Sequence, residues 1–208
     1  MVTNPVLSRV PWLKAESAQR PANMTPADEQ LARRVQRGHT ADLAMLVERH
    51  HSPLLGFLYR LTGGDRALAE DLTQEAFLRA LRSIQQYQPS RPFKPWLYAI
   101  AVNVARDHFK RADVRYAVTL ADDELLALPD PIGLEETIEM DGLRVAAISA
   151  AIGALPVHQR EAIILRYYQD LSLAEIAAAL DIPIGTVKSR LSLGLRHLRT
   201  VLREEGGV

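Results

Sequence analysis

The hydrophobic positions of the chain recur every three or four residues, which is the spacing of amphipathic helices. The pattern predicts a first helix from Thr25, as N-cap with Pro26 in the first turn, to Gly38. A second helix begins at Thr40 and ends at Gly63. Its apolar stripe consists of Leu43, Leu46, Val47, Leu54, Leu58 and Leu61. No segment alternates as a strand does, so the pattern predicts an all-α protein.

Two further helices complete the first half of the chain. The third runs from about Arg66 to Ile84 and the fourth from about Phe93 to Arg111, because the prolines of Gln88–Pro92 interrupt the pattern between them. The fourth helix has two opposed arcs. Its apolar arc holds Leu97, Ile100, Ala101, Val104 and His108, of which the histidine is expected to be a core side chain. Its polar arc holds Trp96, Asn103, Arg106, Asp107 and Lys110.

The segment 112–141 lacks this pattern. It contains nine acidic residues and one basic residue together with two prolines, which indicates an extended or mobile acidic linker. Residues 1–24 are spaced by prolines and indicate a flexible N-terminal arm. The predicted organisation is therefore two small helical domains, residues 25–111 and 142–208, joined by a flexible acidic linker.

The second of these domains contains two helices of unequal length joined by a short turn. The stretch Ser172–Glu175 has the residues of a capping box, in which serine and glutamate each accept from a free N–H at the helix start. The short helix Leu173–Leu180 follows, Pro183 sharpens the turn, and a longer helix runs from there to about Arg203. This arrangement predicts a helix-turn-helix.

The longer helix has no acidic residue between Gly185 and Thr200. Its predicted buried stripe is Val187, Leu191, Leu195 and Leu198, and the outer part of its first turns carries Thr186, Lys188, Ser189 and Ser192. A recognition helix presents such side chains to base edges, while basic residues bind phosphates. The other interpretation is an ordinary helical hairpin with a solvated basic face. Arg160 and Arg166, on the preceding helix, are either phosphate contacts or surface charges.

The distribution of charge along the chain is more informative than its net charge. The 208 residues contain 25 basic and 25 acidic side chains, so the net charge is zero. Counted by segment, however, residues 25–111 carry a net charge of +4, residues 112–141 carry −8, and residues 142–208 carry +2. Two mildly basic domains are thus separated by an acidic segment, which is compatible with a nucleic-acid partner.

Composition excludes several classes of chemistry. The chain has no cysteine, so it has no disulfide framework, cysteine zinc site or thiol nucleophile. No phosphate-binding glycine loop, nucleophile elbow or metal-ligand spacing is present, and the adjacent His50 and His51 point apart on a helix, so we expect no enzyme, cofactor or metal. The absence of a signal peptide or membrane-length apolar run favours a cytoplasmic protein.

Two helix faces are candidate binding sites. Asp71, Gln74 and Glu75 form an acidic-polar patch that is either a solvated face or a docking site for a basic partner. A metal or acid/base pair is disfavoured there because no further ligands converge. On the fourth helix, Trp96 and Asn103 share a face with cations, an arrangement that suits stacking on an unpaired base. The alternative for Trp96 is a core anchor.

Four motifs occur in a fixed order along the chain. They are Asp71–Phe77 (DLTQEAF), Pro95–Asn103 (PWLYAIAVN), Leu155–Pro156 with Arg160–Glu161, and Ser172–Ala177 (SLAEIA) continued by Gly185–Leu191 (GTVKSRL). In this order they resemble the bacterial RNA polymerase sigma factors of the extracytoplasmic-function (ECF) group. The resemblance covers residues 27–111 and 143–203.

The resemblance implies a function and roles for individual residues. The chain would bind core RNA polymerase and direct it to promoters of a stress- or signal-responsive regulon. Polymerase docking, on the coiled-coil clamp helices of the largest subunit, would fall to Asp71, Gln74 and Glu75. The minus-ten element would be opened and read by Phe93, Trp96, Tyr98, Asn103, Arg106 and Lys110, with the Tyr87–Pro92 loop near a flipped base. The minus-thirty-five element would be read by Ser172, Thr186, Lys188, Ser189, Arg190 and Arg196.

The resemblance also implies a larger context. An anti-sigma factor commonly holds members of this group inactive, and the linker runs through the polymerase. The chain departs from the family pattern at Leu193–Gly194, where another basic residue is usual, so either Arg196 supplies that cation or Leu193 meets a thymine methyl. The alternatives to a sigma factor are a stand-alone helix-turn-helix regulator with a ligand-sensing N-terminal domain, and an enzyme or adaptor that never touches DNA.

Overall fold

The computed structural model describes residues 26–112 and 142–205. In these two ranges the backbone forms eight α-helices and one 3₁₀ turn, and no strand, so the prediction of an all-α protein is confirmed. The helices are α1 (Asp28–Gln36), α2 (Thr40–Leu61), α3 (Arg66–Ser83), α4 (Phe93–Ala112), α5 (Gly142–Ala154), α6 (Val157–Tyr167), α7 (Leu173–Leu180) and α8 (Ile184–Glu205), with the 3₁₀ turn at Ile84–Gln86. The predicted arm and residues 113–141 of the predicted linker lie outside the described residues.

Helix ends follow the local signals with small differences. Gly38, Gly63 and Gly64 all have positive φ angles, which explains why α1 and α2 end just before them. The N-terminal boundary of α1 is later than predicted, because Ala27 occupies the N-cap position and Thr25 lies outside the described residues. The carbonyl of Pro26 accepts a hydrogen bond from Arg49 at 3.1 Å, so this segment is tied to α2.

The first four helices pack around α2 and α4. Helix α2 lies between α1 and α3, and α4 packs against all three. Polar contacts connect these helices. The Gln36 side-chain amide at the end of α1 donates to the carbonyls of Ile84 and Tyr87 at 2.8 and 2.7 Å. The buried His50 ring lies 2.7 Å from the Asp28 carboxylate, which also pairs with Arg49. The last four helices form a second group, in which α5, α6 and α7 pack on α8.

The two groups of helices pack directly against each other. Helix α4 contacts α7, and α2 contacts α5 and α6. The buried apolar side chains of both groups form one continuous cluster that includes Phe57, Leu97 and Ile176. We call this contact between α2–α4 and α5–α7 the closed interface. No helix among the described residues is long and apolar enough to cross a membrane.

Gly194 shows why α8 can lie so close to α6. A Cβ atom at position 194 would come within 2.9 Å of the Cγ1 atom of Ile163, closer than van der Waals contact allows. The glycine therefore serves close packing between the two helices, and the basic residue that is usual near this position in the family pattern has no room here.

We predict that Gly194→Val destabilises the protein. Overpacking of this kind costs about 1–3 kcal/mol, because Ile163 and its helix must move. The matched control is Gly153→Val, since nothing lies within 4 Å of a Cβ at that helical glycine. Thermal unfolding followed by circular dichroism should show a lower Tm for the first variant only, and equal Tm values would contradict the packing argument.

Candidate nucleic-acid and polymerase interface

The N-terminus of α4 is held by a carboxylate from α1. Glu29 accepts a hydrogen bond from the backbone N–H of Phe93 at 2.9 Å, which satisfies one of the free donors at the helix start. The rings of Tyr87, Phe93 and Trp96 then form a cluster with centroid separations of 4.9 to 5.5 Å. Phe93 is buried, whereas Trp96 is half-buried. Trp96 therefore combines the two interpretations: one side anchors the cluster and the other reaches the surface.

The loop before α4 closes on itself. The Tyr87 hydroxyl donates to the carbonyl of Arg91 at 2.5 Å. Burial, with the nearby charges of Glu29 and Asp28, raises the pKa of Tyr87 to about 12, so the phenol stays protonated and remains a donor. This bond fixes the loop while Gln88 and Ser90 stay exposed.

The residues predicted to read the minus-ten element fall on two different sides of α4. At about 100° per residue, Trp96, Asn103 and Lys110 share one arc. Asn103 and Lys110 are exposed there. Tyr98 and Arg106 lie on another arc, turned toward the closed interface, where Tyr98 is buried and Arg106 is ion-paired. The structure therefore does not bring all six predicted residues together on one accessible surface.

The predicted docking patch lies on the outer face of α3. Asp71 and Gln74 are exposed, and Glu75 is half-buried beside Arg79 at 2.7 Å. The hydrogen bond from Arg79 lowers the pKa of Glu75, so this carboxylate stays charged. Arg79 also pairs with Asp107 of α4 at 2.7 Å.

Two leucines extend this face beyond what the sequence analysis predicted. Leu78 and Leu81 are exposed by 48% and 41%. Helical spacing alone predicts Leu81 on the buried side of this helix, together with Leu72 and Ala76, and this prediction is wrong. The buried stripe of α3 is narrower and consists mostly of alanines and Leu72. Leu78 was missed because exposed leucines carry no sequence signal of their own. The result is a mixed acidic and apolar surface.

The helix-turn-helix forms as the sequence predicts. The Ser172 hydroxyl accepts from the N–H of Glu175 at 3.2 Å, and the Glu175 carboxylate accepts from the N–H of Ser172 at 2.8 Å, which completes the capping box. Helix α7 ends at Leu180, and the next residue, Asp181, has a left-handed backbone with φ of 55°. The Ser172 hydroxyl oxygen therefore accepts a bond that stabilises the start of α7.

The outer face of α8 presents the remaining predicted contacts. Lys188 and Arg196 are exposed, and Ser189 donates its hydroxyl to the carbonyl of Thr186 at 2.9 Å. In Arg190 the Nε and Nη1 atoms are buried and find no acceptor among the described residues. Buried donors without an acceptor are costly, so these two nitrogens are suited to an acceptor from a partner.

The two arginines of α6 are committed to the protein itself. Arg160 donates to the carbonyls of Leu61 and Leu155 at 2.8 and 2.9 Å, and Arg166 donates to the carbonyl of Leu171 at 2.9 Å. Both side chains therefore bind backbone carbonyls in this structure, and neither is left as a plain surface charge. Among the described residues there is also no cluster of three side chains able to hold a metal ion.

Comparison with known proteins places both groups of helices. The family model "Sigma-70 region 2" matches residues 46–115, and "Sigma-70, region 4" matches residues 146–198. The ECF RNA polymerase sigma factor SigW of Bacillus subtilis is 33% identical over 178 residues, which are 83% of this chain and 95% of SigW. The chain belongs to the ECF sigma factors. Because this family consists of transcription initiation factors, the expectation that the chain is not an enzyme is confirmed by its membership.

Other relatives extend the comparison. The ECF sigma factor SigE of Mycolicibacterium smegmatis is 37% identical over 158 residues, which are 76% of this chain and only 60% of that relative's length. Among solved structures, CnrH in complex with the cytosolic domain of CnrY has a TM-score of 0.65 and 25% identity, covering 86% of this sigma factor and 99% of CnrH. The sigma factor RpoE of Bartonella quintana, solved with the anti-sigma factor NepR, shares the fold with a TM-score of 0.60 and 23% identity over 78% and 97% of the two chains.

We predict that Ser172 acts chiefly as a helix cap. Ser172→Ala should cost about 1 kcal/mol of stability, whereas Ser172→Gly should cost only a few tenths, because glycine is tolerated at an N-cap. Both variants lack the hydroxyl, so a role in DNA contact alone would leave their stabilities equal. Urea denaturation of the free sigma factor distinguishes the two cases.

Proposed function

We propose that this sigma factor binds core RNA polymerase through the outer face of α3 and reads promoters with α4 and α8. The observation that carries the proposal is the order of the two family matches: region 2 falls on α2–α4 and region 4 on α5–α8. Asp71 and Glu75 supply the acidic groups of the docking face, and the exposed Gln74 supplies a neutral amide beside them. Leu78 and Leu81 supply the apolar contact that an interface core needs.

The minus-ten element falls to α4 in this proposal. Trp96 offers an aromatic face for an unpaired base, and Asn103 and Lys110 lie on the same accessible arc to bind its edge and backbone. Unpairing a promoter base costs a few kcal/mol, which such stacking offsets. Phe93 supports Trp96 from within the cluster, and Tyr98 and Arg106 become available only when the closed interface separates.

The minus-thirty-five element falls to α8. Lys188 and Arg196 are exposed and would contact phosphates, while Thr186 and Ser189 would lie near base edges. The buried donors of Arg190 would bind an acceptor on the DNA. Leu193 is half-buried, and Gly194 is buried against α6, so Arg196 is the better candidate for the cation that the family pattern expects. The domain division at 25–111, 112–141 and 142–208 follows from these roles.

Regulation and location complete the proposal. We infer control by an anti-sigma factor, which is supported by the structural likeness to CnrH and RpoE, each solved with a partner protein. The working place is the cytoplasm, where core polymerase and DNA are found. A stand-alone regulator with a ligand-sensing domain is not favoured, because the segment that would sense the ligand matches region 2.

We predict promoter-specific transcription with core polymerase. Sheared genomic DNA from the source cell, core polymerase and this sigma factor should yield transcripts with a shared set of 5′ ends upon sequencing. Trp96→Ala should reduce initiation at these sites, while Tyr59→Ala, an exposed aromatic outside both predicted DNA surfaces, should not. Lys188→Ala should lower the slope of log binding against log salt by about one, as expected for one lost phosphate contact. Transcription that is indifferent to the sigma factor would refute the proposal.

Docking on the polymerase gives an independent prediction. Removing an anchor side chain from an interface costs about 1–2 kcal/mol, so Asp71→Ala, which removes a charge, and Gln74→Ala, which removes a hydrogen-bonding amide, should each weaken binding to purified core polymerase by ~5–30-fold. The matched control is Glu70→Gln, which breaks an exposed pair with Arg66 on the neighbouring part of α3.

Affinity purification of the tagged chain from its own cells should recover core subunits and, in uninduced cells, an anti-sigma factor. If the α3 variants bind core polymerase with the affinity of the unmodified protein, the outer face of α3 is not the docking site.

A further inference from the structure

Helix α1 contacts both ends of the loop that precedes α4. The Gln36 side-chain amide donates to the carbonyls of Ile84 and Tyr87, where the chain enters the loop, at 2.8 and 2.7 Å. The Glu29 carboxylate accepts from the backbone N–H of Phe93, where the chain leaves the loop, at 2.9 Å. Glu29 and Gln36 are seven positions apart, which places them on the same side of α1 and ~10 Å apart along its axis. One side of a single helix therefore holds both ends of the loop.

Helix α1 is itself anchored to α2. The Asp28 carboxylate pairs with Arg49, and the Nε2 atom of His50 lies 2.7 Å from it. Burial opposes the charge on Asp28, but the hydrogen bonds with His50 and Arg49 lower its pKa below the ordinary value, so the carboxylate stays charged. On the same helix Leu31 and Ala32 are fully buried in the core. Helix α1 is thus a fixed support for the loop.

The two supported ends of the loop carry the rings on which Trp96 rests. The ring centre of Trp96 lies 4.9 Å from that of Tyr87 and 5.4 Å from that of Phe93. The His50 ring, beside Asp28 of α1, lies 5.4 Å from the Phe93 ring on its other contacts. A displacement of either end of the loop therefore shifts the surface that positions the Trp96 ring.

Between these ends the loop presents exposed polar side chains. Gln88, Ser90 and Arg91 are exposed, while the Tyr87 hydroxyl donates to the carbonyl of Arg91 at 2.5 Å and closes the loop. A loop that is already ordered loses less conformational entropy when it binds a ligand than a loop that must first become ordered. The contacts from α1 therefore favour the binding of an unpaired base beside Trp96.

Resting on the proposed function, we propose that Glu29 and Gln36 are positioning residues for promoter opening: through them α1 holds the loop before α4 and the Trp96 ring in the geometry that captures an unpaired base of the minus-ten element. Both residues act through the loop and not by contact with DNA. The family match to region 2 begins at residue 46, within α2, so this role belongs to a helix that precedes the matched segment.

The proposal separates strand opening from polymerase docking. Capture of an unpaired base offsets the free energy of unpairing it from the duplex. A loosened loop should therefore impair the opening of a duplex promoter, whereas it should matter little when the minus-ten element is already unpaired. The docking face lies on α3, so binding to core polymerase should be unaffected by changes at Glu29 or Gln36.

Two templates built from one promoter test this prediction. The promoter is a fragment identified by the shared 5′ ends described above, and the second template has a mismatched template strand across the minus-ten element, so that this region is unpaired while the non-template sequence is kept. With core polymerase, Glu29→Ala should reduce transcription from the duplex template ~10-fold, because a charge-assisted hydrogen bond to the loop is lost. On the unpaired template it should stay within ~2-fold of the unmodified protein, because no unpairing has to be offset.

Three further variants distinguish positioning from a general effect on the fold. Glu29→Gln keeps a side-chain oxygen that can accept from the N–H of Phe93, so it should retain most of the duplex transcription. Gln36→Ala releases the other end of the loop and should reproduce the template-dependent defect. The matched control is Gln30→Ala, an exposed position on the same helix, which should transcribe both templates normally. The fluorescence of a 2-aminopurine base in the minus-ten element should rise less with the two defective variants, and all four variants should bind core polymerase with unchanged affinity.

The outcomes separate this inference from the proposed function. Normal duplex transcription by both Glu29→Ala and Gln36→Ala overturns the positioning role and leaves the sigma function standing. An equal loss on both templates that Glu29→Gln does not restore also overturns it, because the change would then act on the folded protein as a whole. If circular dichroism shows that Glu29→Ala does not fold, Gln36→Ala decides the matter by the same comparison. If the unmodified chain gives no transcript from either template, the proposed function itself fails and the inference fails with it.

Discussion

Helix α4 must bury side chains on two sides, and this constraint governs the whole structure. One side, with Leu97, Ala101 and Val104, packs within the first group of helices, and the stripe with Tyr98 and Val102 packs against the second. The arc of Trp96, Asn103 and Lys110 remains open to solvent. A single helix thus contributes to the core, to the closed interface and to a candidate DNA-reading surface. A shift of this helix on one of these faces therefore affects the other two.

The polar contacts of α4 explain how the closed interface can be stable and still allow the two groups of helices to separate. Arg106 with Glu161, and Tyr98 and Lys94 with Gln169, are bonds that water can replace when the groups separate. Buried apolar area alone would make opening costly, and mixed interfaces of this kind are typical of domains that move. The overall neutral charge fits the same scheme, because two weakly basic groups of helices need a large partner to bind DNA with useful affinity.

The sequence predicted the helices well because their signals are local. Glycines with positive φ, the Ser172–Glu175 capping box and the proline-rich loop before Phe93 each act within a few residues of the boundary that they set. The contact between the two groups was not predictable in this way. Tyr98, Val102 and Ala105 are buried although they lie outside the one apolar arc that periodicity identifies on this helix. Gln169 has no pattern that identifies a partner 71 residues away. Such pairings depend on tertiary geometry, which periodicity does not contain.

Arg79 lies between the outer face of α3 and helix α4. Its guanidinium pairs with Glu75 on α3 and with Asp107 on α4, each at 2.7 Å. A basic partner that engages Glu75 competes for that carboxylate and leaves the arginine with Asp107 alone. A change at Glu75 therefore alters the electrostatic environment of Asp107 through the single cation that the two carboxylates share.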